Sequence, residues 1–290
     1  MNKVYEYVTE RIINQLEKGV IPWKKPWVGT PAINYVTRKP YRGINALMLE
    51  PGEYLTFRQI KERGGFIKKG AKAQMVVFYK VYEKMVEGAE VEGEGELKRF
   101  FLLRYYNVYN LNDVEGIQSR LQSFEHNPIE EAEKIIAGYE DRPKIINENL
   151  DSAFYSPGRD IINMPYKEQF RSSEEYYSTL FHEMVHSTGH MKRLGRFTGD
   201  AATAAFGSET YSKEELVAEL GSAMLCNISG INNTIENSAS YIQSWLNVLR
   251  NDKTIVVKAA NLAQKACDHI LGITYTNSEE YPLMAILLKI

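Results

Sequence analysis

The stretch "STLFHEMVHSTGHMKRL", Ser178 to Leu194, decides how the chain is read. His182 and His186 stand four residues apart on a segment whose apolar positions fit a helix, so their imidazoles project one above the other on a single face. Glu183 projects beside that pair. Zinc takes two neutral imidazoles and a third protein ligand, and keeps a fourth position open for water. In such a site Glu183 takes the water's proton and hands it on to a leaving amine. Histidine is scarce, five in 290 residues, and three of the five fall between His182 and His190. The competing reading is an amphipathic helix with satisfied histidines, and a third ligand discriminates between the two.

His190 lies four beyond His186, more than a turn from an ion held by the first two. Gly189 matches the glycine turn of the metzincin consensus, but that consensus then requires histidine where this chain has Lys192. A carboxylate from a later helix is the other solution, and "EELVAELG" offers it. Glu215 and Glu219 share a helical face there. Glu215 is preferred as ligand, with Glu219 accepting the far ring N–H of a ligand histidine. Glu219 is the second choice as ligand and Glu214 the third. Ser212 with Glu215 also forms a capping box that needs no metal. Tyr211 has two readings, a hydrogen-bond donor to a developing oxyanion and a packing tyrosine among nineteen. "RDIINMP" is expected as a sheet-edge strand beside the cleft, along which an extended peptide lies.

The length suits one large domain or two of ordinary size. With 44% apolar and 25% charged residues the composition is that of a soluble globular protein, and no apolar run is long enough to cross a bilayer. The first nineteen residues carry scattered charges and do not form a secretory signal. Cys226 and Cys267 sit in apolar, helix-like segments and read as buried thiols, which favours the cytoplasm. The net charge of -2 hides a division. Residues 1–110 hold 19 Lys+Arg against 12 Asp+Glu; residues 111–290 hold 16 against 25. A basic front and an acidic back point to two modules with different tasks.

The expected fold class is α+β in two domains: a small α+β nucleic-acid-binding domain over 1–125, a connector over 126–150 and a zincin-like domain over 151–290. The 3.6-residue period of Val4, Val8 and Ile12 predicts a first helix, stopped by Gly19. Thr56 and Gln59 cap a short helix, "GGFIKKGAKAQMVVFYKVYEK" reads as a turn feeding a strand, and another strand is expected at "RFFLLRYYNVYNL". The acidic, glycine-rich "MVEGAEVEGEGELK" between them reads as an exposed hairpin connection. A helix follows Pro128, two short strands flank Ser156-Pro157-Gly158, and Ser172 with Glu175 opens the histidine helix. "TYSKEELVAELGSAMLCNIS" and segments near 235–250 and 253–271 complete the helices.

In the front, Trp23, Trp27, Tyr35 and Tyr41 alternate with Lys24, Lys25, Arg38, Lys39 and Arg42, and Lys68, Lys69 and Lys72 form a second basic cluster on a glycine-bounded turn. Aromatic rings separated by cations suit single-stranded DNA, whose bases stack while its phosphates meet ammonium and guanidinium groups. No clean recognition helix for duplex is evident. A zinc finger is excluded, because residues 1–110 hold neither cysteine nor histidine. The alternative is that the rings fill a small core beneath a solvated lysine surface.

Both halves together resemble one family, the ArdC-type antirestriction proteins of conjugative plasmids and phages. The resemblance rests on "IPWKKPW…TRKPYRGINALML…YLTFRQIKERGGFIKKGAKAQMVVFYK" in front and on "YYSTLFHEMVHSTGHMKRLGR" with "YSKEELVAELGSAML" behind. It implies a single-stranded-DNA-binding domain followed by a zincin-like metallopeptidase domain, with a protein or peptide substrate. Carried over by position, it implies His182 and His186 as ligands, Glu183 as the acid/base group and a glutamate of "EELVAE" as third ligand. In front it marks Trp23, Trp27, Arg38, Tyr41, Arg42 and the lysines near Lys69 as facing DNA. The biological setting it implies is protection of incoming single strands from restriction.

Overall fold

Helix α1, Lys3–Leu16, buries Val8, Ile12 and Leu16 along one face and ends where Gly19, at φ 74°, lets the chain turn back. The computed structural model describes residues 3–23, 31–87, 95–121, 127–149, 151–197, 209–231 and 239–274. Strand β1 (Ala32–Asn34), helix α2 (Ile44–Met48), strand β2 (Gly52–Thr56), helix α3 (Phe57–Glu62) and strand β3 (Phe66–Ile67) follow. Thr56 and Gln59 form the expected capping box at α3. The Asn45 side chain of helix α2 bonds both Val77 N and Val77 O, which anchors the helix to the sheet.

Strands β4 (Gln74–Glu87) and β5 (Gly95–Asn110) pair antiparallel from Gln74↔Val108 to Glu87↔Gly95, in a sheet ordered β1-β2-β5-β4. Residues 85–87 and 95–98 of the expected hairpin connection therefore belong to the ladder, and 88–94 lie outside the described residues. Strand β6 (Val114–Glu115) pairs with β3.

Helix α4 (Pro128–Gly138) starts at the Asn127 cap, and β7 (Lys144–Ile146) precedes β8 (Phe154–Ser156) and β9 (Ile161–Asn163). The sheet order is β7-β9-β8, so "RDIINMP" supplies the central strand and not the edge. Its backbone groups are taken up by β7 on one side and β8 on the other, which leaves none for an added peptide strand. Residues 126–150, expected as a connector, thus contribute a strand to this sheet, and α4 puts Ala132, Ile135 and Ile136 into the core.

Four helices follow: α5 (Ser173–Ser187), α6 (Glu209–Ser229), α7 (Ala239–Asn251) and α8 (Ile255–Ile270). Ser172 caps α5 through Glu175 N, while the Glu175 carboxylate accepts from Arg171 N. One core cluster joins the two halves: Val8, Ile12 and Trp23 pack with Trp245, Leu249 and Val256. No helix among the described residues is long and apolar enough to cross a membrane.

Candidate metal centre

Helices α5 and α6 cross with almost no space between them. A Cβ on Gly221 would lie 2.7 Å from Val185 Cγ2, and Ser222 Oγ donates to Ser178 O at 2.9 Å. Glycine and serine at these positions let the backbones approach, and this approach brings Glu215 of α6 over the two histidines of α5. Among the described residues, His182, His186 and Glu215 form the one cluster suited to a metal ion. His182 Nε2 and His186 Nε2 are 3.1 Å apart, and the Glu215 oxygens lie 3.4 and 3.3 Å from them. Tetrahedral ligation at about 2.0–2.1 Å spaces ligand atoms about 3.3 Å apart, so these separations are of the size a metal site needs, with a different Glu215 oxygen nearest each imidazole.

Neighbouring carboxylates prepare the rings. His186 Nδ1 lies 3.4 Å from Glu214 Oε1; a carboxylate only accepts, so with a cation bound this nitrogen would carry the hydrogen and leave the Nε2 lone pair to the ion. Arg196 fixes Glu214 with bonds of 3.1 and 2.7 Å and also donates to Thr188 Oγ1 and Val185 O. On the other ring, Glu219 Oε1 is 3.8 Å from His182 Nδ1, the partner expected but beyond direct hydrogen-bond length. Burial opposes charge on both histidines, yet the glutamates outweigh it. Glu215 raises the pKa of His182, and Glu214 with Glu215 raises that of His186 well above the ordinary value. Burial likewise works against ionised Glu215, and the two histidines overcome it and hold its pKa below the usual carboxylate range. The pocket therefore favours positive charge, as a cation site must.

The remaining candidates fall around this core. Glu183 is 8% exposed and its charge acts on both rings. Ser212 sits inside α6 and bonds Ser244 Oγ at 2.6 Å, so the capping role that competed for Glu215 is absent. Tyr211, half-buried, precedes Glu215 by four residues on the same helix. His190 is turned to Asp160, 4.0 Å away, and takes no part. Gly189 serves packing: the Phe197 ring would lie 2.7 Å from a Cβ there.

Two family descriptions match the chain, "N-terminal domain of anti-restriction factor ArdC" over residues 2–109 and "Zincin-like metallopeptidase" over residues 130–262. The metal-free crystal structure of antirestriction ArdC protein from the R388 plasmid superposes with a TM-score of 0.73 at 34% identity, covering 92% of this chain and 96% of that one. The chain belongs to the ArdC antirestriction family. The Mn(II)-bound form of the R388 protein superposes with a TM-score of 0.72 at 33% identity, covering 93% of this chain and 97% of that one. DNA primase TraC of Escherichia coli is 33% identical over 95% of this chain, which spans only 28% of the primase. The uncharacterized protein y4eC of Sinorhizobium fredii (strain NBRC 101917 / NGR234) is 32% identical over 91% of this chain and 90% of its own length.

The ArdC-type front corrects several expectations. Trp23 is 3% exposed and packs edge-on against Trp245, with ring centroids 5.3 Å apart. Tyr41 is buried against Tyr54, and Tyr35 is buried with its hydroxyl donating to Gln118 O. All three rings are buried, and Trp23 and Tyr41 line a cavity of about 190 Å³ together with Arg42. Arg38 is ion-paired with buried Glu53, and Arg42 with Asp268 of α8, so both guanidinium charges are matched. Lys39, Lys68, Lys69 and Lys72 are exposed. Lys24, Lys25 and Trp27 lie outside the described residues. Sequence reasoning missed Arg196 and the clamping role of Glu214. Gly221, inside an otherwise strong helix, was the available sign of a close crossing.

Proposed function

We propose that this ArdC-family chain binds single-stranded DNA through its basic front and carries a zinc-dependent, peptidase-like site in its back half. The observation that carries the second part is the convergence of His182 Nε2, His186 Nε2 and Glu215 within 3.4 Å of one another, with Glu183 buried beside them. These three residues would hold a cation, which would supply Lewis acidity toward a peptide carbonyl and lower the pKa of a water. Glu183 accepts that proton at its carboxylate and returns it to the departing amine nitrogen. Glu214, backed by Arg196, holds His186 in the ligating tautomer. Tyr211 is our candidate donor to the carbonyl oxygen. Two imidazoles and one carboxylate suit zinc, and manganese, present in a crystal form of the R388 protein, is its main rival.

Antirestriction by strand coating needs no metal, so the two halves are separable. The test is Glu183→Gln, which leaves all three ligands in place. Zinc content is expected to stay at about one per chain while cleavage of a casein or a peptide library falls by at least a hundredfold. Cleavage unchanged in the variant removes Glu183 from the mechanism.

A further inference from the structure

Trp23, Tyr35 and Tyr41 are buried, whereas Phe57 and Phe66 are not. Phe66 is 71% exposed and Phe57 is 52% exposed, and both belong to one corner built from α3 and β3. We infer that this corner is the surface on which single-stranded DNA stacks, with Phe57 and Phe66 as base platforms and Lys61, Lys68, Lys69 and Lys72 as phosphate contacts. The inference rests on the reading that the front binds single strands, and it assigns that binding to residues.

The backbone fixes both rings outward. β3 pairs with β6 through Phe66↔Glu115 and Ile67↔Val114, and Ile67 packs against the cluster of Leu55, Ile60 and Val114. Successive strand residues face opposite ways, so burying Ile67 commits Phe66 to solvent. Gly65 leaves no freedom to slide: a Cβ there would lie 2.7 Å from Ile117. In α3, Ile60 is the buried residue, and the Thr56 cap holds Phe57 in the first turn. Lys61 Nζ sits over the Phe57 ring, 4.9 Å from its centroid, so a cation already rests on one face of that ring.

Charge selects the occupant. Residues 57–72 hold six cations (Arg58, Lys61, Arg63, Lys68, Lys69 and Lys72), all exposed, and one acid, Glu62, which is paired with Arg58 at 2.8 Å. Glu115, across the ladder from Phe66, and Asp113, whose carbonyl accepts from Lys68 N at 2.9 Å, are the acids at the corner's edge. Lys68 and Lys69 are presented by a tight turn closed by Ala71 N to Lys68 O at 3.1 Å, with Gly70 at φ 89°. Exposed rings set among cations fit a flexible polyanion with accessible aromatic faces. A duplex hides those faces, and an acidic polypeptide has none.

The test is fluorescence anisotropy of a labelled oligo-dT strand with the full chain, wild type against Phe66→Ala, Phe66→Trp and the triple change Lys68→Gln, Lys69→Gln, Lys72→Gln. Phe66→Ala should weaken binding about 5- to 150-fold, and Phe66→Trp should restore it. The triple change should lower the slope of log affinity against log salt by about 0.7 for each phosphate that no longer meets an ammonium group. Melting temperature checks that each variant is folded. Wild-type affinity in Phe66→Ala, or equal affinity of the wild type for polyglutamate, overturns this assignment. Absence of single-strand binding by the wild type overturns the underlying reading instead.

Discussion

The candidate metal centre and the α3–β3 corner handle charge in opposite ways. At the centre Glu183, Glu215 and Glu219 are buried and the imidazoles and Glu214 half-buried, and carboxylates outnumber the cations that face them, two imidazoles and Arg196. At the corner the groups are exposed, cations are in excess and rings stand in solvent. Burial makes each charge at the centre strong and intolerant of displacement, because a low-dielectric surrounding magnifies every ångström. Exposure makes each corner contact weak, replaceable and dependent on salt. A point charge needs the first design, and a polymer of variable sequence needs the second.

Substitutions break the comparison in a graded series. Glu215→Ala removes a ligand and should weaken metal affinity by more than about a hundredfold, beyond what loss of an outer-shell partner costs; a competition titration with a chromogenic chelator measures it. Arg196→Met frees Glu214 from its clamp and should cost about 10- to 100-fold in the same titration. Gly221→Ala drives a methyl group into Val185 and should lower stability by about 1–3 kcal/mol in urea unfolding. Gly138→Ala, where a Cβ meets nothing within 4 Å, provides the contrast and should not destabilise.

The front supplies a pH effect. Burial opposes charge on Glu53, but Arg38, Arg120 N and Ser119 outweigh it and hold its pKa below the ordinary value. A depressed carboxylate stabilises the fold above its unfolded pKa of about 4.3 and loses that contribution as pH falls through the folded value. The melting temperature of wild type should exceed that of Glu53→Gln at pH 7, with the gap closing below about pH 4. An undiminished gap in acid would contradict the ion pair as its origin. Smallest of all, Phe66→Ala should leave stability within about 0.5 kcal/mol while DNA affinity falls.

The same contrast explains what could be read in the sequence. The spacing of His182 and His186 is a local property of one helix, and helix geometry turns four residues into one face without knowledge of the fold. Glu215 needed only a second helix with a carboxylate on an apolar face. The caps at Thr56 and Ser172 are likewise local. Whether Trp23 or Phe66 faces water is not local. It depends on Trp245, 222 positions away in the chain, and on the β3–β6 register. Arg196 reaches Glu214 from a loop with no periodicity to betray it. The central place of β9 depends on which strands flank it, which its own sequence does not specify.

The convergence of three side chains from two helices on one cation is the claim on which the rest turns. Anomalous diffraction at the zinc edge from metal-loaded crystals tests it directly. The account predicts a single strong peak about 2.0–2.2 Å from His182 Nε2, His186 Nε2 and a Glu215 oxygen. A peak bound elsewhere, or none at this position with the protein fully loaded, would contradict it.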